Sequence, residues 1–184
     1  MKKVVKFGGS SLASAEQFRK VGSIIQADPE RRFVVPSAPG KRSRDDEKVT
    51  DMLYACYALA EEGSDFSEKL SAIRARYEEI IKGLSLKLSL EGEFQKIEEN
   101  FRNKAGKDYA ASRGEYLNGI VMAAYLKFPF IDAAEVIFFD EQGQVDDYKT
   151  DQVLSKRLEQ MDAAVIPGFY GSMPDGSVKT FSRG

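Results

Sequence analysis

A lysine and a glycine pair end the first apolar run of the chain, where they could bind an anion. The run Lys3–Phe7 is short and β-branched and passes into Gly8 and Gly9, which predicts a strand that enters a tight loop. Ser14 then opens a capping-box pattern, Ser-Ala-Glu-Gln, so a helix is expected to begin there. Backbone N–H groups, a helix start and the Lys6 ammonium would converge on one point. The local chemistry predicts an anion site, which a phosphate group could occupy.

A connecting turn without a ligand is the commoner explanation for a glycine pair that follows a strand. The segment is not a Walker A loop, because its lysine precedes the glycines, and it lacks the GxGxxG spacing. These residues alone leave both explanations open.

The chain contains no histidine, which restricts the chemistry that it can perform. Ser-His-Asp and Cys-His catalysis are excluded, as are the usual zinc sites. Carboxylates, lysine, arginine, hydroxyls and backbone N–H groups remain. This set suits electrostatic stabilisation better than acid–base catalysis, and no metal ligand is predicted.

The composition is typical of a soluble globular protein: 42% of the 184 residues are hydrophobic and 30% are charged. A net charge of −2 argues against nucleic-acid binding. The single cysteine excludes an internal disulfide and suits a reducing compartment. No apolar run approaches the roughly 20 residues that span a bilayer, and no signal-peptide pattern opens the chain. The expected location is cytoplasmic, without a membrane partner.

Apolar strands alternate with helices, which predicts an α/β fold with a mainly parallel central sheet flanked by helices. Strands are predicted at 3–7, 33–35, 135–139 and 163–167, with a further extended segment at 178–181. Helices are predicted after Ser14, from 49 to 62, between 64 and 106 with breaks at Gly83 and Gly92, after 112, and from 150 to 160.

Ligands of parallel sheets bind beyond the carboxyl ends of the strands. The residues at the ends of the predicted strands are Gly8, Gly9, Ser10, Ser37, Gly168, Phe169 and Arg183. We expect these residues to converge on one site.

Three stretches near this site also have purely structural explanations. Thr50 lies near the start of a predicted helix, where N-capping is the default role. Glu115 follows Ser112 at capping-box spacing. Seven of the eight residues at 41–48 are charged, which is typical of a solvated or mobile loop.

Five segments carry the most specific patterns: KFGGSS at 6–11, VVPSAPGKR at 34–42 with KVTDMLYA at 48–55, SRGE at 112–115, VIPGFYG at 165–171 and TFSRG at 180–184. In that order they resemble the motifs of the aspartokinases in the amino-acid kinase family. The first resembles KFGGTS, with Ser10 in place of threonine. SRGE resembles the motif of the substrate-binding glutamate, and TFSRG resembles the start of the (L)GRGGSD segment. The resemblance spans the whole chain.

The resemblance implies phosphoryl transfer from ATP to the β-carboxylate of L-aspartate. The product would be 4-phospho-L-aspartate, in the first step of lysine, threonine and methionine biosynthesis. The aspartate side chain has a reference pKa of about 3.9, so it is already an anionic nucleophile at neutral pH. No histidine base is needed, and catalysis would depend on positioning and electrostatics. ATP is the implied cofactor, with Mg²⁺ carried by the nucleotide.

The resemblance also implies roles for individual residues. Lys6 would lie against the transferred phosphoryl group as the catalytic residue. The implied nucleotide-binding segment is Lys6, Phe7, Gly8, Gly9 and Ser10. The implied aspartate-binding residues are Ser37 and Thr50 as hydroxyl donors, Glu115 near the ammonium group, Arg183 at the α-carboxylate and Phe169 as a pocket wall.

The chain ends inside the arginine segment, before the serine and aspartate that complete it in the family. The resemblance implies that residues 1–184 form the N-terminal, amino-acid-substrate part of an amino-acid kinase domain. The nucleotide-binding half and the regulatory ACT domains would lie outside it. We expect this incomplete part to be inactive alone, and the full-length enzyme to be a homo-oligomer.

Two other functions remain open from the sequence. One is another carboxylate kinase of the same superfamily, such as an acetylglutamate kinase, although SRGE and the SAPGKR and KVTD segments favour aspartate. The other is a non-catalytic half-domain that binds an anion or an amino acid. An unrelated α/β protein is a third alternative.

Overall fold

A computed structural model describes residues 1–181 of the chain. In this part, a parallel sheet has the strand order β1-β2-β3, and β4 and β5 form a separate antiparallel hairpin. The strands are β1 (Lys3–Phe7), β2 (Arg31–Pro36), β3 (Ala164–Val165), β4 (Tyr170–Ser172) and β5 (Val178–Thr180). The helices are α1 (Ala15–Gln26), α2 (Val49–Glu62), α3 (Ser67–Gly83), α4 (Glu91–Arg102), α5 (Lys107–Leu126) and α6 (Asp147–Glu159). None of these helices is both long and apolar enough to cross a membrane.

The register of the parallel sheet brings two strand ends together. Phe7, the last residue of β1, pairs with Pro36, the last residue of β2. Both strands run in the same direction, so the loops that follow them leave from the same edge of the sheet. The prediction of an α/β fold with a parallel sheet is confirmed. The predicted extended segment at 178–181 contributes strand β5 to the separate hairpin and not to this sheet.

Apolar side chains cover both faces of the sheet. Val34 and Val165 point into a large cluster made with helices α1 to α5. Their neighbours Phe33 and Ala164 point the other way, into a smaller cluster with Ile131 and other buried residues. Two-sided burial is the physical reason for the continuous apolar runs of these strands.

The predicted strand at 135–139 is absent. Residues 133–135 form a single 3₁₀ turn, and Phe138 and Phe139 make only isolated bridges, to Ser172 and Val145. The Phe139 N–H does bond to the Ser172 carbonyl, at 2.9 Å. The run therefore lies beside the end of β4, but these contacts are isolated and do not extend into a strand ladder.

The predicted helix break at Gly83 is confirmed, and the one at Gly92 is wrong. Helix α3 ends at Gly83, and Ser85 then takes a left-handed backbone conformation with φ of 55°. The interruption covers 84–90, and Gly92 is already the second residue of α4.

Burial of the single cysteine leads to a test of the packing. Cys56 on α2 is fully buried, and this burial raises the pKa of its thiol to about 11. We expect no labelling by iodoacetamide at pH near 8 in the folded protein, because the thiolate is scarce and inaccessible. Full labelling is expected in urea. Rapid labelling of the folded chain, followed by intact-mass spectrometry, would contradict this packing.

Candidate functional site

A cavity of about 470 Å³ opens where β1 and β2 end. Five of the residues that the sequence predicts for the site line it: Gly9, Ser10, Ser37, Thr50 and Glu115. The rest of its wall comes from 38–41 and from Lys48. Strand ends and two helices thus bring together residues that are more than a hundred positions apart in the sequence, such as Gly9 and Glu115.

The loops after β1 and β2 touch backbone to backbone. The Gly40 N–H donates to the Gly9 carbonyl at 2.8 Å. A Cβ on Gly40 would lie 2.6 Å from the Gly9 carbonyl carbon, and a Cβ on Gly9 would lie 2.8 Å from the Ala38 oxygen. Side chains at either position would push the loops apart, so both glycines are needed for this contact.

Thr50 faces the cavity as part of α2 and does not cap that helix. Lys48 occupies the N-cap position, and no side chain caps the helix there. Thr50 is 8% exposed and is the second residue of α2. The N-cap explanation is therefore wrong, and the Thr50 hydroxyl is available to a ligand.

Glu115 lies in the middle of α5, 7% exposed. Helix α5 begins at Lys107, so Ser112 and Glu115 cannot form a capping box at its start, and that explanation is wrong. A Cβ on Gly114 would lie 2.8 Å from the Ala38 Cβ. Gly114 thus allows α5 to approach the loop after β2 and brings Glu115 to the cavity.

A buried phenol supports the backbone beside Glu115. The Tyr77 hydroxyl donates to the Gly114 carbonyl at 2.7 Å. Burial, and secondly the charge of Glu115, hold the pKa of Tyr77 well above its usual value. The phenol stays protonated, so this hydrogen bond between α3 and α5 persists at every physiological pH.

Lys6, Phe7 and Gly8 are not among the residues that line the cavity. Val5 and Phe7 pack against the large cluster, so Lys6 projects from the opposite face of the sheet, where it is exposed. A Cβ on Gly8 would meet nothing within 4 Å. The backbone at Gly8 is therefore open to an approaching group, whereas that at Gly9 is packed.

Two other predicted site residues are placed differently. Phe169 is half-buried, does not line the cavity and has a left-handed backbone with φ of 78°. Its carbonyl accepts a hydrogen bond of 2.8 Å from the Phe181 N–H. Arg183 lies outside the described residues.

Asn118 was missed by the sequence analysis. It lies one turn beyond Glu115 on α5, is fully buried, and donates from Nδ2 to the Ser37 carbonyl at 2.6 Å. Its Oδ1 atom is also buried and has no hydrogen-bond partner within residues 1–181. A polar residue at helical spacing from Glu115 was the available signal, but its partner could not be read from the sequence.

The charged loop at 41–48 is exposed, and ion pairs connect its residues with one another and with α3. Arg42 pairs with Asp46 at 2.9 Å and with Glu79 on α3 at 2.6 Å. Hydrogen bonding from Arg42 holds the pKa of Asp46 well below its usual value. The prediction of a solvated loop is confirmed, and Arg42 ties the loop to α3 through Glu79.

Comparison with known families matches residues 1–184 to the amino acid kinase family. Aspartokinase 3 of Bacillus subtilis is 36% identical over 98% of this chain and 43% of its own length. The chain spans about two fifths of the length of the curated relatives that it matches.

Solved structures show the same fold. The aspartate kinase of Clostridium acetobutylicum is 49% identical and superposes with a TM-score of 0.96 over 100% of this chain and 42% of its own. Aspartokinase III of E. coli, solved with aspartate and ADP, is 24% identical with a TM-score of 0.80, over 100% of this chain and 44% of its own.

Replacement of Asn118 tests how the cavity is supported. Asn118→Ala removes the hydrogen bond to the partly buried Ser37 carbonyl, so we expect a loss of about 0.5–1.5 kcal/mol in the free energy of unfolding. Asn103→Ala, at an exposed position, is the control and should change it by less than about 0.5 kcal/mol. Urea unfolding followed by circular dichroism measures both. Equal effects of the two substitutions would show that Asn118 does not support the loop.

Proposed function

This chain belongs to the amino acid kinase family, and on that basis we propose that it provides the amino-acid-binding part of an enzyme that phosphorylates the β-carboxylate of L-aspartate. The similarity to enzymes named aspartokinase or aspartate kinase supports this choice of substrate. The remaining, nucleotide-binding part of such an enzyme would come from outside residues 1–184.

The observation that carries the proposal is the cavity shared by Ser37, Thr50 and Glu115. An amino-acid substrate has an ammonium group and carboxylates, so its site needs an acid and several hydrogen-bond donors. Glu115 is the acid and would hold the ammonium group. The hydroxyls of Ser37 and Thr50 would donate to a carboxylate. Arg183 would bind the α-carboxylate through two parallel hydrogen bonds.

The glycine segment would hold the phosphate end of ATP. The space beside Gly8 admits a phosphate group close to the backbone. The N–H groups of Gly8 and Gly9 would contribute, where β1 passes into the 3₁₀ turn that follows it. Lys6 would supply positive charge at the transferred group, and Phe169 would shape the wall. Mg²⁺ would arrive with the nucleotide.

The reaction would need little proton transfer. A β-carboxylate oxygen attacks the γ-phosphorus of ATP, and the bond from that phosphorus to the ADP oxygen breaks. The products are an acyl phosphate and ADP. Two anions must meet, so Lys6 and the backbone N–H groups would reduce the repulsion and stabilise charge on the transferred group. A chain without histidine can perform this chemistry.

Glu115→Gln tests the amino-acid site. The substitution removes a charged partner of the ammonium group, so the 184-residue chain should bind L-aspartate about tenfold to a hundredfold more weakly in calorimetry. Glu98→Gln on the surface of α4, where Glu98 pairs with Arg102, is the control and should bind normally. No binding of L-aspartate, or tighter binding of N-acetyl-L-glutamate, would refute the proposed substrate.

Lys6→Ala in the complete enzyme tests the catalytic role. We expect kcat to fall by about a hundredfold or more, while KM for L-aspartate changes by less than about threefold. Lys3→Ala is a matched control, because Lys3 is exposed on the same strand and pairs with Asp28 and Glu30. An unchanged kcat would remove Lys6 from the mechanism.

A further inference from the structure

One buried arginine on α3 holds both ends of the charged loop at 41–48. Arg76 is 4% exposed, and its guanidinium donates to the Gly40 carbonyl at 2.9 Å and to the Glu47 carbonyl at 3.1 Å. It also pairs with Asp46 at 3.0 Å. The planar fork of a guanidinium suits such simultaneous contacts. The conformation of the loop therefore depends on a buried residue of α3 that does not line the cavity.

The two carbonyls that Arg76 binds directly precede two lysines that face the cavity. Gly40 is followed by Lys41, and Glu47 is followed by Lys48. Both lysines line the cavity, and neither has a carboxylate within 4 Å among residues 1–181. Arg42, in contrast, is fully engaged with acids. Arg44, the remaining cation of the loop, does not line the cavity, so the two lysines are the loop cations that a ligand in the cavity could reach.

The charges around the cavity are unequal. Of the residues that line it, Glu115 is the acid, while Lys41 and Lys48 are both cations. A cavity with this excess attracts ligands with more negative than positive groups, and nearby lysines act on such ligands as point charges.

Burying the charge of Arg76 costs free energy, which argues that this residue does more than hold the ends of the loop together. Burial, and secondly the nearby Arg42 charge, lower the pKa of Arg76. Its Nε atom is buried and has no hydrogen-bond partner within residues 1–181. An exposed loop does not need a buried cation to hold its ends, and removing a charge from water is unfavourable.

We propose that Arg76 is a positioning residue that fixes Lys41 and Lys48 as a cationic wall of the cavity, and that this wall binds the anionic groups of its ligand. The ligand class is a small molecule with at least two negative charges, either on two carboxylates or on a phosphate ester. The identification of that molecule with L-aspartate or its phosphorylated product rests on the proposed function above.

The wall is tested with the double variant Lys41→Gln/Lys48→Gln in the 184-residue chain. The probes are L-aspartate and inorganic pyrophosphate, measured by calorimetry at about 20 and about 200 mM NaCl. Loss of both charges should weaken binding by about tenfold at low salt and flatten the salt dependence. The matched control is Lys69→Gln/Lys87→Gln, which removes two exposed lysines away from the cavity.

Arg76→Gln tests the positioning role. It should weaken binding of both probes about as much as the double lysine variant does, and hydrogen exchange at 41–48 should speed up. When Arg76→Gln is combined with the double lysine variant, the affinity for the probes should fall little further, because the substitutions act through the same two lysines. Arg74→Gln is the control, because Arg74 lies on the same helix as Arg76 and its replacement breaks a different pair, with Glu91 of α4. Arg76→Lys keeps a charge and serves if the glutamine variant does not fold.

The outcomes separate this inference from the proposed function. Lysine-dependent binding of pyrophosphate without binding of L-aspartate would support the wall and refute the substrate. Binding of L-aspartate that the lysine variants leave unchanged would refute the wall alone. Two results would show that Arg76 only stabilises the fold. One is a further loss of affinity when Arg76→Gln is added to the double lysine variant, and the other is a salt dependence of binding that Arg76→Gln leaves unchanged. Binding of neither probe by the unsubstituted chain would overturn both.

Discussion

The contact between Gly9 and Gly40 is the constraint on which the candidate site depends. Two loops that leave neighbouring parallel strands can share a wall only if their backbones meet, and here no side chain fits between them. The hydrogen bond from Gly40 to Gly9 fixes that meeting. Gly114 likewise leaves no room for a side chain where α5 packs against Ala38. Absence of side chains at three positions thereby places Ser37, Thr50 and Glu115 around one cavity.

Local patterns in the sequence predicted the parts of the fold that form from neighbouring residues. Strand β1 and helix α2 lie where a short β-branched run and helical periodicity predicted them. The convergence of Gly9 and Ser37 followed from parallel topology alone. Helix boundaries were less accessible. Glu115 had a capping explanation only because nothing near Ser112 reveals that α5 starts at Lys107.

Contacts between distant segments could not be read from the sequence. Asn118 and Arg76 each occupy a position in an apolar helical stripe, and both bind backbone carbonyls. A carbonyl is present at every residue, so such a partner leaves no pattern in the sequence. The prediction of a strand at 135–139 was wrong for a related reason. Its apolar residues match a strand, but whether a strand forms depends on a neighbour supplied elsewhere in the chain.

The pairing of β2 with β3 has a consequence for how the chain folds during synthesis. Phe33 pairs with Ala164, so this side of β2 lacks its partner until about 130 further residues have been synthesised. Closing so long a loop is entropically slow. Before residue 164 is synthesised, this edge of β2, which contains Phe33 and Val34, is open to pairing with other strands, so self-association competes with completion of the sheet.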